Sequence, residues 1–304
     1  MTTRARTISA IRAYSIGRTN STKYISLCFS IGHPAACSLC QFIHRDSIPP
    51  ANRPRKAHPV SSPIPSRLNP ELTPELERDV AFFLKWGYLV IDEAITPNQV
   101  EQLRTALDDA FARRDEQFIH QLLEEDDDFA FLLDNPPVFS RIKAILSNCV
   151  QLHSATARIT KGDEPDQDWH RDGPWPMDPE GIPYGSLPGQ INCGYYLDEI
   201  TDDNGPIVIV PGSQRVPFKP PEGHPRFPDE LRVMAQPGQA VLFDGWLYHR
   251  GAANSSGTRR RVCLMCYQNA WMKSREPFDG PRVTALRDNG TDAQKLLLGA
   301  IQKW

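Results

Sequence analysis

Near Val150 the chain changes texture, and that change limits what it can fold into. Before it, apolar residues recur at helical spacing. After it, strand-length runs alternate with Gly, Pro and Asp turns, at 151–160, 168–172, 190–197, 206–210, 239–243 and 261–268. Helices first and many short strands after give an α+β layout, mainly β, framed by a sandwich or barrel. In the first half, Thr73 is an N-cap with Pro74 at N1, and Leu76, Val80, Phe83 and Leu84 form one apolar face that Gly87 ends. Tyr88–Ile91 reads as a short buried strand. Thr96 and Gln99 make a capping box for a second helix running to about Arg114. The acidic run Glu124–Asp128 reads as a solvated loop, and Pro137–Leu146 as a third amphipathic helix. The chain carries no G-x-G-x-x-G, P-loop or G-x-S-x-G and no internal repeat.

Charge divides the chain differently. Residues 1–70 hold ten Lys or Arg and one acid, Asp46, a net +9, so the whole-chain −3 leaves −12 for residues 71–304. That acidic body speaks against a nucleic-acid partner. The basic head is rich in Pro, Ser and Arg and lacks an apolar period, so residues 1–70 read as a disordered segment. Its first thirty residues have the composition of a transit peptide, and an over-long gene start is the other reading. The apolar run Tyr24–Ile31 is too short to span a membrane. The body, residues 71–304, is expected in the cytoplasm, with organelle import if the head is genuine. Seven cysteines, an odd number, do not indicate a disulfide framework. His33, Cys37, Cys40 and His44 lie close together with no second pair farther off, which argues against a structural zinc module. Cys263 and Cys266, three apart on a strand, face opposite ways and read as core.

The chemistry is concentrated in Trp169-His170-Arg171-Asp172. On an extended backbone the imidazole of His170 and the carboxylate of Asp172 leave the same face, with Arg171 turned away. They form two thirds of the 2-His-1-carboxylate set of non-haem Fe(II) oxygenases. His249, after the strand-like run from Ala240, supplies the second imidazole. Arg260 stands on the next strand, and an antiparallel return through Asn254–Gly257 would bring it beside His249. A guanidinium there can pair with a carboxylate through two hydrogen bonds, and 2-oxoglutarate carries one at its distal end. Alternation turns Arg259 and Arg261 away. Trp169, Trp175, Tyr184, Trp246 and Tyr248 read as core more readily than as pocket walls. His153 and His224 lack partners at ligand spacing.

These segments, in this order, resemble the phytanoyl-CoA dioxygenase family of Fe(II)/2-oxoglutarate oxygenases. The likeness covers roughly residues 75–270. Gly87-Tyr88-Leu89-Val90 before Thr96-Pro97 resembles the family's opening, Trp169–Asp172 its H-x-D segment, and Asp203-Asn204-Gly205-Pro206 with Pro211-Gly212-Ser213 its NGP…PGS segment. His249 with Asn254, Ser256 and Arg260 resembles its distal motif. The resemblance implies a double-stranded β-helix, a cupin-like jelly roll with the N-terminal helices packed outside. It implies iron ligands His170, Asp172 and His249, with Arg260 holding 2-oxoglutarate. The reaction implied is a dioxygenase hydroxylation of an aliphatic C–H in a small organic molecule, with O2 consumed and succinate and CO2 released. Gln214 stands where the family often has His, and Gly251 where some members have a hydroxyl. For the second cosubstrate contact the sequence offers Asn192, Tyr195 and Arg158. Asp172 argues against halogenation, which uses a site lacking the carboxylate. A 2-oxoglutarate-independent cupin-type oxygenase and a non-catalytic binding module on the same fold are the alternatives. Segments 173–190 and 213–236 are expected around the cavity mouth. Substrate identity and oligomeric state are not legible.

Overall fold

The computed structural model describes residues 72–172, 188–216, 218–223 and 225–300. They belong to one unit, Ser61–Trp304. The expectations for residues 1–70, the Cys37 cluster, Trp175, Tyr184, His224 and most of the 173–190 segment lie outside the described residues.

Helix α1 (Pro74–Trp86) starts where the sequence signals it. Thr73 Oγ1 accepts from Leu76 N at 3.2 Å, a cap of about 1 kcal/mol. Gly87 ends it at φ 80°, and a Cβ there would lie 2.5 Å from Gln214 Oε1. Strand β1 (Tyr88–Ile91) and helix α2 (Pro97–Ala112) follow, the latter with its full Thr96–Gln99 capping box. Next come β2 (Phe118–Ile119), α3 (Pro136–Leu146), β3 (Val150–Thr160), β4 (Gln190–Tyr196), β5 (Ile207–Ile209), β6 (Leu231–Val233), β7 (Ala240–Asp244), β8 (His249–Gly251) and β9 (Arg260–Asn269). Helices α4 (Pro281–Asn289) and α5 (Asp292–Leu297) close the chain.

The strands form two antiparallel sheets. The larger has six strands in the order β1-β7-β4-β9-β3-β2, and the smaller three in the order β6-β5-β8. Alternation assigns each face of the larger sheet. Leu89, Ile191, Cys193, Tyr195, Leu242, Cys263 and Met265 join the core shared with α1, α2 and α3. Tyr196, Val241, Phe243 and Val262 instead pack on Ile207, Ile209 and Val233 of the smaller sheet. Covered on both sides, β4 is buried along its whole length. In β3 a bulge between Leu152 and Ser154 resets the phase. Leu152 and Ala155 both join the helix-side core, while Ser154, Thr156 and Arg158 line the space between the sheets. Among the described residues no helix is long and apolar enough to cross a membrane.

Three sequence expectations are corrected. Residues 168–172 are not a strand: His170 makes one isolated bridge to His249, and Asp172 N donates to Gly245 O at 2.8 Å. The return through Asn254–Gly257 does not make β8 and β9 neighbours; β8 pairs with β5 in the smaller sheet while β9 lies in the larger. The acidic run is not a solvated loop. Glu124 accepts from Arg282 N and Val283 N at the start of α4, at 3.1 and 2.8 Å, and Glu125 pairs with Arg113 and Arg114.

Candidate metal centre

The two histidines are set by backbone. His170 N donates to His249 O at 3.0 Å and His249 N to His170 O at 3.1 Å, so the imidazoles leave adjacent positions with ring centroids 4.3 Å apart. Each ring is then oriented by a carbonyl two residues earlier. His170 Nδ1 donates to Asp168 O at 2.8 Å, and His249 Nδ1 to Leu247 O at 2.9 Å. Both Nε2 atoms are thereby free to face the cavity, as a metal-binding imidazole requires. Asp172 completes the set: Oδ2 lies 3.2 Å from His249 Nε2, and Oδ1 3.8 Å from His170 Nε2. One ligand atom from each residue falls within 4.8 Å of the others. Two neutral nitrogens and one carboxylate oxygen, converging from one side, suit Fe(II) or a similar divalent ion. Arg171 is turned away and donates to Ser213 O and Val216 O.

Electrostatics agree with that donor set. Burial raises the proton affinity of Asp172, but the adjacent His249, His170 and Arg275 outweigh it and hold the carboxyl down at about 2. Burial and the neighbouring His249 lower His170. Burial also lowers His249, yet the Asp172 carboxylate prevails and its net shift is upward. Protonation of His249, which the Asp172 carboxylate favours, would compete with metal for the site.

The cavity between the sheets has a volume of about 240 Å³. At its floor lies Arg260, 6 % exposed. Its Nε and Nη2 both donate to Gly205 O, at 3.1 and 2.7 Å, and it lies 5.9 Å above the Tyr196 ring. Gly205 adopts φ 84°, so the Asn-Gly-Pro segment serves to aim a carbonyl at this guanidinium. Nearby carboxylates are committed elsewhere: Glu164 to Arg158 at 2.9 Å, and Asp198 to Arg261 at 2.7 Å. Arg260 thus has no carboxylate partner among the described residues. Burial depresses its pKa, against the weaker pull of Tyr196, Glu164 and Asp198. Arg259 and Arg261 point outward to Asp108 and Asp198, as alternation predicts.

The three further residues separate. Arg158 lines the cavity. Asn192 does too, but its Nδ2 donates to Asp172 Oδ2 at 3.0 Å, so it positions the carboxylate. Tyr195 points the other way, into the helix-side core, with its hydroxyl 3.4 Å from Leu132 O. Burial drives its phenol well above the ordinary value. Two residues three apart on one strand cannot share a face, and Tyr196 is the β4 tyrosine that reaches the cavity. Trp169 and Tyr248 are core, packed with Val208 and Val210. Gln214 donates to Leu84 O and Lys85 O at the C-terminus of α1, at 3.5 and 3.4 Å. Cys263 and Cys266 do face opposite ways, but only Cys263 joins the helix-side core; Cys266 lines the cavity, as do Gln167 and Arg275, to which the sequence reading gave no role.

Residues 83–262 match the family model of phytanoyl-CoA dioxygenase (PhyH), more than half of the chain. The chain belongs to this family. Among curated proteins it is similar to the L-proline trans-4-hydroxylase of Streptomyces griseoviridis, 25 % identical over 142 residues, covering 37 % of this chain and 52 % of that protein. It is also similar to dioxygenase sphC of Aspergillus fumigatus, 32 % identical over 117 residues, 36 % of this chain and 30 % of that one. The chain thus spans about half or less of the length of these relatives. Among solved structures, HygX from Streptomyces hygroscopicus with nickel, 2-oxoglutarate and hygromycin B bound shares the fold at TM-score 0.55 and 18 % identity, over 67 % of this chain and 90 % of that one. Its iron-bound form gives TM-score 0.54 at 17 % identity, over 68 % and 90 %.

Proposed function

We propose that this chain is an Fe(II)- and 2-oxoglutarate-dependent dioxygenase that hydroxylates an aliphatic C–H of a small organic molecule, on a double-stranded β-helix. His170, Asp172 and His249 would hold the iron, and Arg260 the distal carboxylate of 2-oxoglutarate. The observation that carries the reading is the buried Arg260 without a carboxylate of its own, on the wall of the cavity that also holds the three convergent ligand atoms. A buried guanidinium left unpaired is costly, and an incoming dianion removes that cost. Bound iron and cosubstrate supply the O2 chemistry, with 2-oxoglutarate ending as succinate and CO2. The chain's own residues hold and orient. Asp168 O and Leu247 O fix both imidazole tautomers, Asn192 steadies Asp172, and Gly205 O with the Tyr196 ring sets the plane of Arg260. Family membership supports the reading, as do relatives that include a proline hydroxylase and a fold neighbour binding iron and, with nickel, 2-oxoglutarate.

The test is succinate formation from 2-oxoglutarate in air after anaerobic loading with Fe(II). We expect iron-dependent turnover that is lost in His170→Ala and needs at least about tenfold more 2-oxoglutarate in Arg260→Ala. A wild type that binds iron but not 2-oxoglutarate would remove Arg260 from this role and leave a cupin-type oxygenase. A wild type that binds neither would leave a binding module.

A further inference from the structure

A second unsatisfied cation stands at the opposite end of the same cavity. Arg275 lines it beside Ser154, Cys266 and Asp172, where the register of β3 and β9 runs away from Arg260. Its backbone is clamped. Arg275 N donates to His153 O at 3.0 Å, at the β3 bulge, and Ser274 Oγ donates to Leu152 O at 2.8 Å. Gln268 donates to Met272 O at 2.8 Å and accepts from His153 Nδ1 at 2.6 Å. The neighbouring Glu276 is buried and takes Gln121 N and Ala155 N, both at 2.8 Å. Both flanks of Arg275 are therefore fixed, so its charge is presented from a rigid support.

The other cavity-wall arginines have their counter-charges. Arg158 is paired with Glu164 and Arg250 with Asp166. If the proposed function holds, on which this inference rests, a divalent ion, Asp172, a 2-oxoglutarate dianion and Arg260 together sum to zero. Arg275 then remains as the uncompensated charge, its guanidinium without a hydrogen-bond or ion-pair partner among the described residues. The same cavity wall carries Val262, Leu264 and Cys266, surface suited to an aliphatic chain. The volume, about 240 Å³, is small for a site that must also admit the cosubstrate.

We propose that Arg275 determines specificity by pairing with a carboxylate of the substrate, which is a small aliphatic acid, amino acids included. A thioester such as an acyl-CoA masks that carboxylate and would forgo the pair.

The experiment is calorimetric titration under argon of full-length protein loaded with Mn(II) and 2-oxoglutarate. The probes are a panel of C4 to C6 aliphatic and amino acids, their primary amides and a short acyl-CoA. In the wild type we expect at least one acid to bind, and its amide to bind about tenfold or more weakly. Arg275→Gln should lose a similar factor for the acid and none for the amide, Arg275→Lys should fall between, and 2-oxoglutarate affinity should stay unchanged in both. Acid and amide binding alike, an unaffected Arg275→Gln, preference for the acyl-CoA, or no acid binding while 2-oxoglutarate binds would each overturn the role of Arg275 alone. Failure of the wild type to bind 2-oxoglutarate would instead overturn the 2-oxoglutarate-dependent reading, and this inference with it.

Discussion

Tyr195 and Tyr196 are adjacent on one strand and both buried, yet they belong to different surroundings. Tyr195 meets Leu132 and Asn135 in the core under the helices, where it fills space. Tyr196 lies under Arg260, where it holds a charge in place. A like division holds along β3, β4 and β9, strands of the larger sheet that line the cavity. One face carries mostly apolar side chains whose role is packing. The other carries Asn192, Arg158, Arg260 and the Cys266 thiol among apolar residues shared with the smaller sheet, and His170, Asp172 and His249 line the same cavity. The lesson is that the larger sheet keeps its polar cavity groups to one face, one residue away from the packing under the helices.

That division can be broken from either side. The largest effect is expected from Asp172→Ala, which should weaken Mn(II) or Fe(II) binding by at least about a hundredfold in calorimetry while leaving the melting curve of the metal-free protein nearly intact. Leu242→Ala, on the helix face of β7 and fully buried, should do the reverse. It should cost about 2–5 kcal/mol in denaturant unfolding, with metal affinity of the folded protein unchanged. Loss of metal binding in Leu242→Ala at temperatures where it stays folded would show that the faces are coupled. A smaller change is expected from Gly251→Ser. A Cβ there would lie 2.9 Å from Gln167 Oε1, which now accepts from Gly251 N. The displaced Gln167 should weaken 2-oxoglutarate binding by about threefold to tenfold without touching metal affinity. A last effect, on the pH dependence of stability, concerns Asp244, whose carboxyl burial pushes up to about 6 against the pull of Trp246 N and Arg171. Its folded form prefers the proton, so stability should decline as pH rises from about 4 to about 6 and then level. Asp244→Asn should flatten that slope in urea titrations across the same window.

Much of this was legible because it follows short-range rules. The Thr73 and Thr96 caps, the alternation that sends Arg259 and Arg261 outward, and the H-x-D pairing of His170 with Asp172 all depend on a few consecutive residues. What was illegible depends on phase or on distant partners. Strand β4 is buried on both faces, so nothing in its composition says which way Asn192 or Tyr195 points. Residues 168–172 are extended but borrow their hydrogen bonds from His249 and Gly245, far along the chain. The Asn254–Gly257 turn has hairpin composition, yet the strands it joins belong to opposite sheets. Arg275 gains its position from a bulge more than a hundred residues earlier, a link that no local pattern carries. Thr291 with Gln294 is a capping box that the sequence displays, and α5 behind it is too short to show an apolar period.

The placement of the proposed ligand residues has one more consequence. His249 belongs to the smaller sheet, while Asp172 is tied through Asn192 to the middle of the larger one. An ion bound by both would act as a rivet through the sandwich. Its arrival should therefore be felt beyond the ligand residues, as slower amide hydrogen exchange along β5 and β8, whose strand pairings are short. Metal occupancy would then double as the fastener that keeps the smaller sheet shut, and protease sensitivity of that sheet would report the iron supply.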